Sequence, residues 1–346
     1  MNFDIRDFSK RKFLTNTIAA GAFAASTVLA LGASSAFAQG LPQVRIGLLS
    51  YGTVNWAADT IKNRAFDTRN GIELVVQGYG GNDATAIALQ GGEVDAIITD
   101  AFWVSQQRAQ GNNFTWVPYS NTVGGVIVRN DAGINTVEDL VGKNIGIAGG
   151  PVDKSWLLLQ AWTLDQLGMN IRDAVGEVKF ASPFLVNKMV TDGEVDAVMS
   201  FWNWNARLLN DPENYHQLIG TGEILGVLGV DGAVPLLGWA FSEEWAAANP
   251  AAIDGFLKAA KAATDLLATN DQAWTTLKDR MGVTEDPALF ETYKSQYRAG
   301  IVASFNDADK ARARQAFGIL SELGGEALMG PSPELQDGTF WAGFNF

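Results

Sequence analysis

The chain of 346 residues contains no cysteine and a single histidine, His216. Any chemistry it performs therefore falls to carboxylates, amides, lysine and aromatic rings. Thiolate nucleophiles and thiolate metal sites are excluded. A Ser-His-Asp or Cys-His constellation would need His216, which sits in the turn-like stretch "NDPENYHQ" and reads as an exposed turn residue. No H-E-x-x-H, C-x-x-C or D-x-[DN]-x-[DN]-G pattern occurs, so neither a metal nor another cofactor is expected. Two acids stand out by position. Asp100 follows the apolar run "DAIIT", and Asp153 lies in "GGPVDKSW" beside Lys154 and Ser155. Facing each other across a cleft, such a pair can do acid–base work. Beside aromatic walls it can instead hold an amine, a pyrimidine-like heterocycle or a quaternary ammonium. Each of Asp83, Asp100 and Asp153 also suits the plainer role of helix N-cap, Asp83 and Asp153 especially, and capping is the favoured reading. Lys154 at a helix start offers an anion seat, or else is a solvated first-turn residue. "GGPVDKSW" lacks the full G-x-G-x-x-G pattern, which argues against a dinucleotide.

Four tryptophans accompany these groups: Trp56, Trp156, Trp202 and Trp204. A tryptophan serves either a core or a wet binding wall. The "SFWNW" stretch interleaves Asn203 with its rings, and a core would have to satisfy that amide. If the stretch stays extended, Trp202 and Trp204 face one side. The expectation is that at least two of the four tryptophans touch a ligand.

The elements that must position these residues come as an internal repeat. "GEVDAIITDAFWV" (Gly92 to Val104) returns as "GEVDAVMSFWNWN" (Gly193 to Asn205). "RIGLLS" matches "NIGIAGG", and "IELVVQGY" matches "VKFAS", all strand-like. "NDATAIALQGG" and "SPFLVNKMVTDG" are short helices, the second opened by Ser182 with Pro183 at its first position. Gly91-Gly92 and Gly193 suit left-handed helix ends. Leu48 pairs with Ile147, Trp56 with Trp156, and Asp95 with Asp196, at offsets of 99, 100 and 101. The reading is two β-α-β-α-β units, each a small parallel sheet flanked by helices. In open α/β sheets ligands bind beyond the carboxyl ends of the strands. Six segments therefore matter: 50–56, 80–83 and 99–103 in the first unit, and 149–156, 182–184 and 200–204 in the second.

Two Gly-rich crossings, near Tyr119–Gly125 and Gly226–Gly232, would join the units as a hinged clam. The tail from Ser242 to Gly330 reads as helical and is expected to pack on the first unit. At the N-terminus, "SKRKFL" precedes an Ala-rich apolar run ending in Ala36-Phe37-Ala38, the pattern of an export signal cleaved near Ala38. That places the protein in the periplasm. Residues 1–38 hold four Lys/Arg and two Asp/Glu, so the remainder carries 21 basic and 36 acidic residues, a net −15. Such a charge argues against nucleic acid or an anionic membrane surface as a partner.

The order of "VRIGLLSYG", "GGEVDAIITD", "TVEDLVGKNIGIAGG" and "GEVDAVMSFW" behind an export signal resembles the solute-binding proteins of ABC importers. The resemblance is to the nitrate/sulfonate/taurine (NitT/TauT, SsuA-like) and thiamine-pyrimidine-precursor group, densest over Val44–Gly150 and Phe180–Trp204. "SKRKFL" is also similar to a twin-arginine signal with the first Arg replaced by Lys. The resemblance implies an α/β type II periplasmic-binding-protein fold, with two parallel or mixed-sheet lobes joined by a two-segment hinge. Lobe one would comprise 42–126 and 229–346, and lobe two 127–228. It implies a monomer that captures a small organic solute, sulfonate-like or amine/pyrimidine-like, and delivers it to an inner-membrane ABC permease without catalysis. The expected ligand contacts are Tyr51, Asn55, Trp56, Asn82, Asp100, Phe102, Asn121, Asp153, Lys154, Ser155, Trp156, Trp202, Asn203 and Trp204. Two alternatives stay open: a periplasmic enzyme using the cleft carboxylates, and a receptor reporting solute to a membrane sensor. The pyrimidine-synthesising relatives are a poor match, because they depend on histidine and are intracellular.

Overall fold

The computed structural model describes residues 40–151 and 153–344, so the expected export signal lies outside the described residues. Strands β1 (Gln43–Leu49), β2 (Glu73–Tyr79), β3 (Ala96–Thr99) and β4 (Phe114–Ser120) precede the first crossing. After it come β5 (Gly125–Arg129), β6 (Ile145–Ala148), β7 (Val178–Ala181), β8 (Ala197–Ser200) and β9 (Tyr215–Gly220), and after the second crossing β10 (Leu237–Ser242). They form two five-stranded sheets of matching order, β2-β1-β3-β10-β4 and β7-β6-β8-β5-β9. In each, the three strands of the repeat are parallel, while the strand that follows a crossing pairs antiparallel. The three repeat strands of each lobe are thus parallel as read, within a sheet that is mixed as a whole. The linking stretches themselves supply β5 and β10, each wedged between a repeat strand and the outer strand of its own sheet: β5 between β8 and β9, β10 between β3 and β4.

The "GEVDA" turns do architectural work that differs between lobes. Gly92 and Gly193 adopt φ of 70° and 75°, where a side chain would be strained, while Gly91 stays right-handed. Asp95 accepts from the Arg45 backbone N–H at 2.7 Å and takes the Arg45 guanidinium on both oxygens, at 3.1 and 2.6 Å. Asp196 accepts from the Asn144 backbone N–H at 2.9 Å. Each aspartate thus pins the start of its neighbouring central strand, β1 or β6. Only the first has a guanidinium partner.

Each repeat strand feeds a helix. These are α1 (Val54–Asn63), α2 (Asn82–Gln90) and α3 (Ala101–Ala109) in lobe one, and α4 (Lys154–Leu167), α5 (Pro183–Thr191) and α6 (Trp202–Leu209) in lobe two. The tail forms α7 (Pro250–Thr269), α8 (Pro287–Ala299) and α9 (Asp307–Met329). Helices α7 and α8 pack into the lobe-one core, with Phe256, Leu257, Ala263, Leu267 and Tyr293 buried. Helix α9 departs from the expectation. Its Ala313, Ala316, Phe317 and Leu320 share a core with Leu157, Leu158 and Leu159 of α4 in lobe two. Phe317 also meets Phe102 of lobe one edge-on at 5.7 Å. The reason is spacing: those residues form one apolar stripe of three- and four-residue steps, and α4 presents the matching face.

Close backbone approaches fix the crossings. A Cβ on Gly124 would lie 1.7 Å from the Ser200 carbonyl oxygen, and one on Gly238 would lie 2.1 Å from the Trp116 ring. A Cβ on Gly80 would meet nothing within 4 Å. Gly124→Ala and Gly238→Ala should each cost roughly 1–3 kcal/mol or more by overpacking, whereas Gly80→Ala should stay within about 0.5 kcal/mol of the parent. Urea denaturation checks this, and a neutral Gly124→Ala would contradict the packing described.

Candidate functional site

The two sheets face each other at the carboxyl ends of their repeat strands, and a cleft opens there. Five of the six segments named from the sequence line it, and each is the start of a helix: Gly52–Val54, Asn82–Asp83, Asp100–Trp103, Asp153–Ser155 and Phe201–Asn203. The sixth, Ser182–Phe184, does not; its Phe184 is largely exposed and stands against Trp204 instead. Asn55 lies just behind the wall. Its amide donates to the carbonyls of Leu49 and Gly52, both at 2.8 Å, and so clamps the turn that presents Gly52 and Thr53.

The five helix ends differ in how their first N–H groups are met. Asp100 accepts from the Trp103 N–H at 2.8 Å and Asp153 from the Ser155 N–H at 2.9 Å. Helices α1, α2 and α6 have no side-chain cap. Capping, one of the two readings open for Asp153, is thus realised, and Asp100 caps as well. Asp83 instead sits in the first turn of α2, which begins after Gly81.

The charged residues on the cleft wall are Asp83, Asp100, Asp153 and Lys154. Asp100 comes from lobe one and Asp153 with Lys154 from lobe two. Among the described residues Lys154 has no salt bridge within 4.0 Å. Enclosure within the protein pushes the Asp100 carboxyl above the usual carboxylate range; Lys154 and the cap hydrogen bond pull it down, and Asp153 adds to the rise. The two acids therefore feel each other across the gap.

Asn203 is 8% exposed and lines the cleft, yet its side-chain amide has no hydrogen-bond partner among the described residues. Its backbone carbonyl accepts from the Tyr293 hydroxyl of α8 at 2.7 Å. Burial raises that hydroxyl to about 12, so it remains a donor across the working pH range. Trp202, one residue earlier, lines the cleft and also enters the lobe-one aromatic cluster, 5.7 Å from both Trp56 and Tyr293.

The expected contacts divide accordingly. Asn82, Asp100, Phe102, Asp153, Lys154, Ser155, Trp202 and Asn203 share the cleft wall. Trp56, 4% exposed, is core between Trp202, Trp274 and Tyr293. Trp156, 1% exposed, is core of lobe two. Trp204 does not share a side with Trp202, because the segment is helical and not extended. Residues two apart on a helix diverge, and Trp204 turns to Phe184 and beneath the Arg207 guanidinium. Tyr51 stands outside the wall and donates to the Gly80 carbonyl at 3.2 Å. Asn121 lines a separate pocket behind the first crossing, with Asn205, Gln217 and Gln296. His216 lies on β9, 2.7 Å from the Asn130 side chain and away from the cleft. The wall also uses Trp103, Gln106, Phe201 and Leu237, which were not among the expected contacts. Position directly after a strand was the available signal for Trp103 and Phe201; nothing local marks Gln106 or Leu237.

A cleft between two mixed sheets, built from paired helix ends, is the architecture of periplasmic solute-binding proteins. The NMT1/THI5-like family model matches residues 62–274, more than half of the chain, and the chain belongs to that family. Its fold is similar to that of the alkanesulfonate-binding protein SsuA of Xanthomonas axonopodis pv. citri bound to MOPS. The two share 21% identity and a TM-score of 0.68, over 86% of this chain and 98% of that one. The periplasmic aliphatic sulphonate-binding protein SsuA of Escherichia coli gives 18% and 0.65, over 87% and 97%. A sulfonate transporter's SsuA from Methylobacillus flagellatus gives 16% and 0.58, over 84% and 90%. No curated protein sequence matches this chain significantly.

Because Asp100 is harder to ionise in the folded protein than in the unfolded chain, its charge opposes folding at neutral pH. The penalty is full above the folded pKa and disappears below the unfolded value of about 3.9. Asp100→Asn removes the charge and keeps a good N-cap. It should raise the Tm of the ligand-free protein at pH 7, and the gain should fade as pH falls through the folded pKa. Asp100→Ala loses the cap as well, at about 1 kcal/mol, and should fall below Asp100→Asn at every pH. A gain for Asp100→Asn that does not change with pH would contradict this account.

Proposed function

We propose that the protein is an extracytoplasmic solute-binding protein. It captures a small organic solute, sulfonate-like or amine/pyrimidine-like, between its lobes and delivers it to an ABC permease. The observation that carries this reading is the side-chain amide of Asn203, on a residue only 8% exposed, which faces the cleft without an internal hydrogen bond. Such an amide is free to exchange water for a ligand in the cleft, donating from its nitrogen and accepting at its oxygen. The membership in the NMT1/THI5-like family and the likeness in fold to sulfonate-binding proteins support the same reading. So does the two-lobed form, in which contacts from both walls favour a closed state over an open one. The stretch 121–124, between β4 and β5, and the stretch 228–236, leading into β10, supply the hinge.

The periplasmic location and the monomeric state belong to this proposal. An enzyme on the same fold is a weaker reading. Asp100 and Asp153 face one gap, but each is engaged as a helix cap, and the single histidine lies elsewhere.

A thermal-shift and calorimetry panel of sulfonates, nitrate, pyrimidines, amines and betaines should find a 1:1 binder that is not altered chemically. Asn203→Ala should leave the Tm of the ligand-free protein within about 1 kcal/mol equivalent of the parent, since no internal hydrogen bond is lost. It should weaken the binder by about tenfold. Turnover of any panel member would overturn the transport reading.

A further inference from the structure

We infer that the solute carries a protonated nitrogen, seated between Asp100 of lobe one and Asp153 of lobe two. This rests on the solute-capture reading and narrows it from small organic solutes to cationic amines and protonated nitrogen heterocycles.

Three of the four charged residues on the cleft wall are acids. Helix N-termini alone favour an anion, but two of the five here are already met by carboxylates of the protein. Each of those carboxylates gives one oxygen to its cap, and the second oxygen has no hydrogen-bond partner among the described residues. Asp153 is moreover 8% exposed, so its carboxyl is set deep in the wall. Carboxylate oxygens without an internal donor at Asp100 and Asp153 call for a ligand that donates hydrogen bonds, and the unpartnered Asn203 amide beside them can accept one more at its carbonyl oxygen.

The placement on opposite lobes gives the charge a mechanical role. Hinge closure brings two carboxylates toward each other, and like charges in a low-dielectric gap repel. A cation between them converts that repulsion into two charge-assisted hydrogen bonds. Lys154 supplies one positive charge at the wall, which leaves the acids of this wall in excess over its single base. The apolar remainder of the solute would lie on Phe102, Trp103, Phe201 and Trp202, whose ring faces also attract a cation. An N–H-bearing nitrogen meets the free carboxylate oxygens better than a quaternary ammonium, which has no donor.

The test is calorimetry of the purified protein with butylamine, ethanolamine, 4-aminopyrimidine, choline, ethanesulfonate and nitrate. It is repeated on Asp100→Asn, Asp153→Asn and Lys154→Gln. Both aspartate variants keep a capping side chain, so they fold. An N–H-bearing amine or the aminopyrimidine should bind, weaken by about tenfold or more in each aspartate variant, and tighten in Lys154→Gln. The opposite pattern would overturn the inference while leaving solute capture intact: ethanesulfonate or nitrate binding, tightened by the aspartate variants and weakened by Lys154→Gln. Choline binding better than every N–H donor would overturn the assignment of the carboxylate seat. If no probe binds any form of the protein, the capture reading itself falls, and the cation assignment with it.

Discussion

The insertion of Trp202 into the other lobe is the contact on which the rest of the site depends. The residue opens the helix that follows strand β8 of the second sheet, yet its ring packs among Trp56 and Tyr293 of the first lobe. The helix it begins is held there by Tyr293 donating to the Asn203 carbonyl and by Arg207 donating to the Met281 carbonyl at 3.0 Å. Phe201 and Asn203, on either side of the inserted ring, are thereby set into the cleft. The same pin places the floor of the cleft close to the crossings, where Gly124 lies against the Ser200 carbonyl.

Chain direction explains why the polar groups gather at this gap. Five of the six repeat strands hand the chain to a helix that starts at the gap, so amino ends collect and carbonyl ends point away. The two lobes answer that shared geometry differently. Lobe one gives three starts, with Asp100 capping the third. Lobe two gives two, with Asp153 capping the first and the aromatic-amide run Phe201–Asn203 opening the second. Helix α9 then spans the back. It packs on α4, touches Phe102, and donates from Gln315 to the Gly229 carbonyl of the second crossing at 2.9 Å. Stability and site are thus coupled through the same few contacts.

Much of this was legible in the residues. The doubled "GEVDA" turn, with offsets of 99 to 101 along the repeat, gave the two units, and placing ligand groups after strands located five of six wall segments. What the sequence left ambiguous was direction. Trp56 and Trp156 occupy equivalent places in helices whose starts line the cleft, yet both rings turn into their own cores, because burial at the third helical position is decided by tertiary neighbours. Trp204 was misjudged by its period: the two-residue alternation applied to a strand, and Trp202–Leu209 is a helix. The partner of α9 was hidden for a related reason. An apolar stripe states that a face is buried, and both lobes offered a face to bury it.

The most direct measurement of the central claim is a crystal structure of the protein with its bound solute. The account predicts solute density between the lobes, in hydrogen-bond contact with Asp100 on one side and with Asp153 or Asn203 on the other. Density against one lobe alone, or in the pocket behind the first crossing beside Asn121 and Gln296, would contradict it.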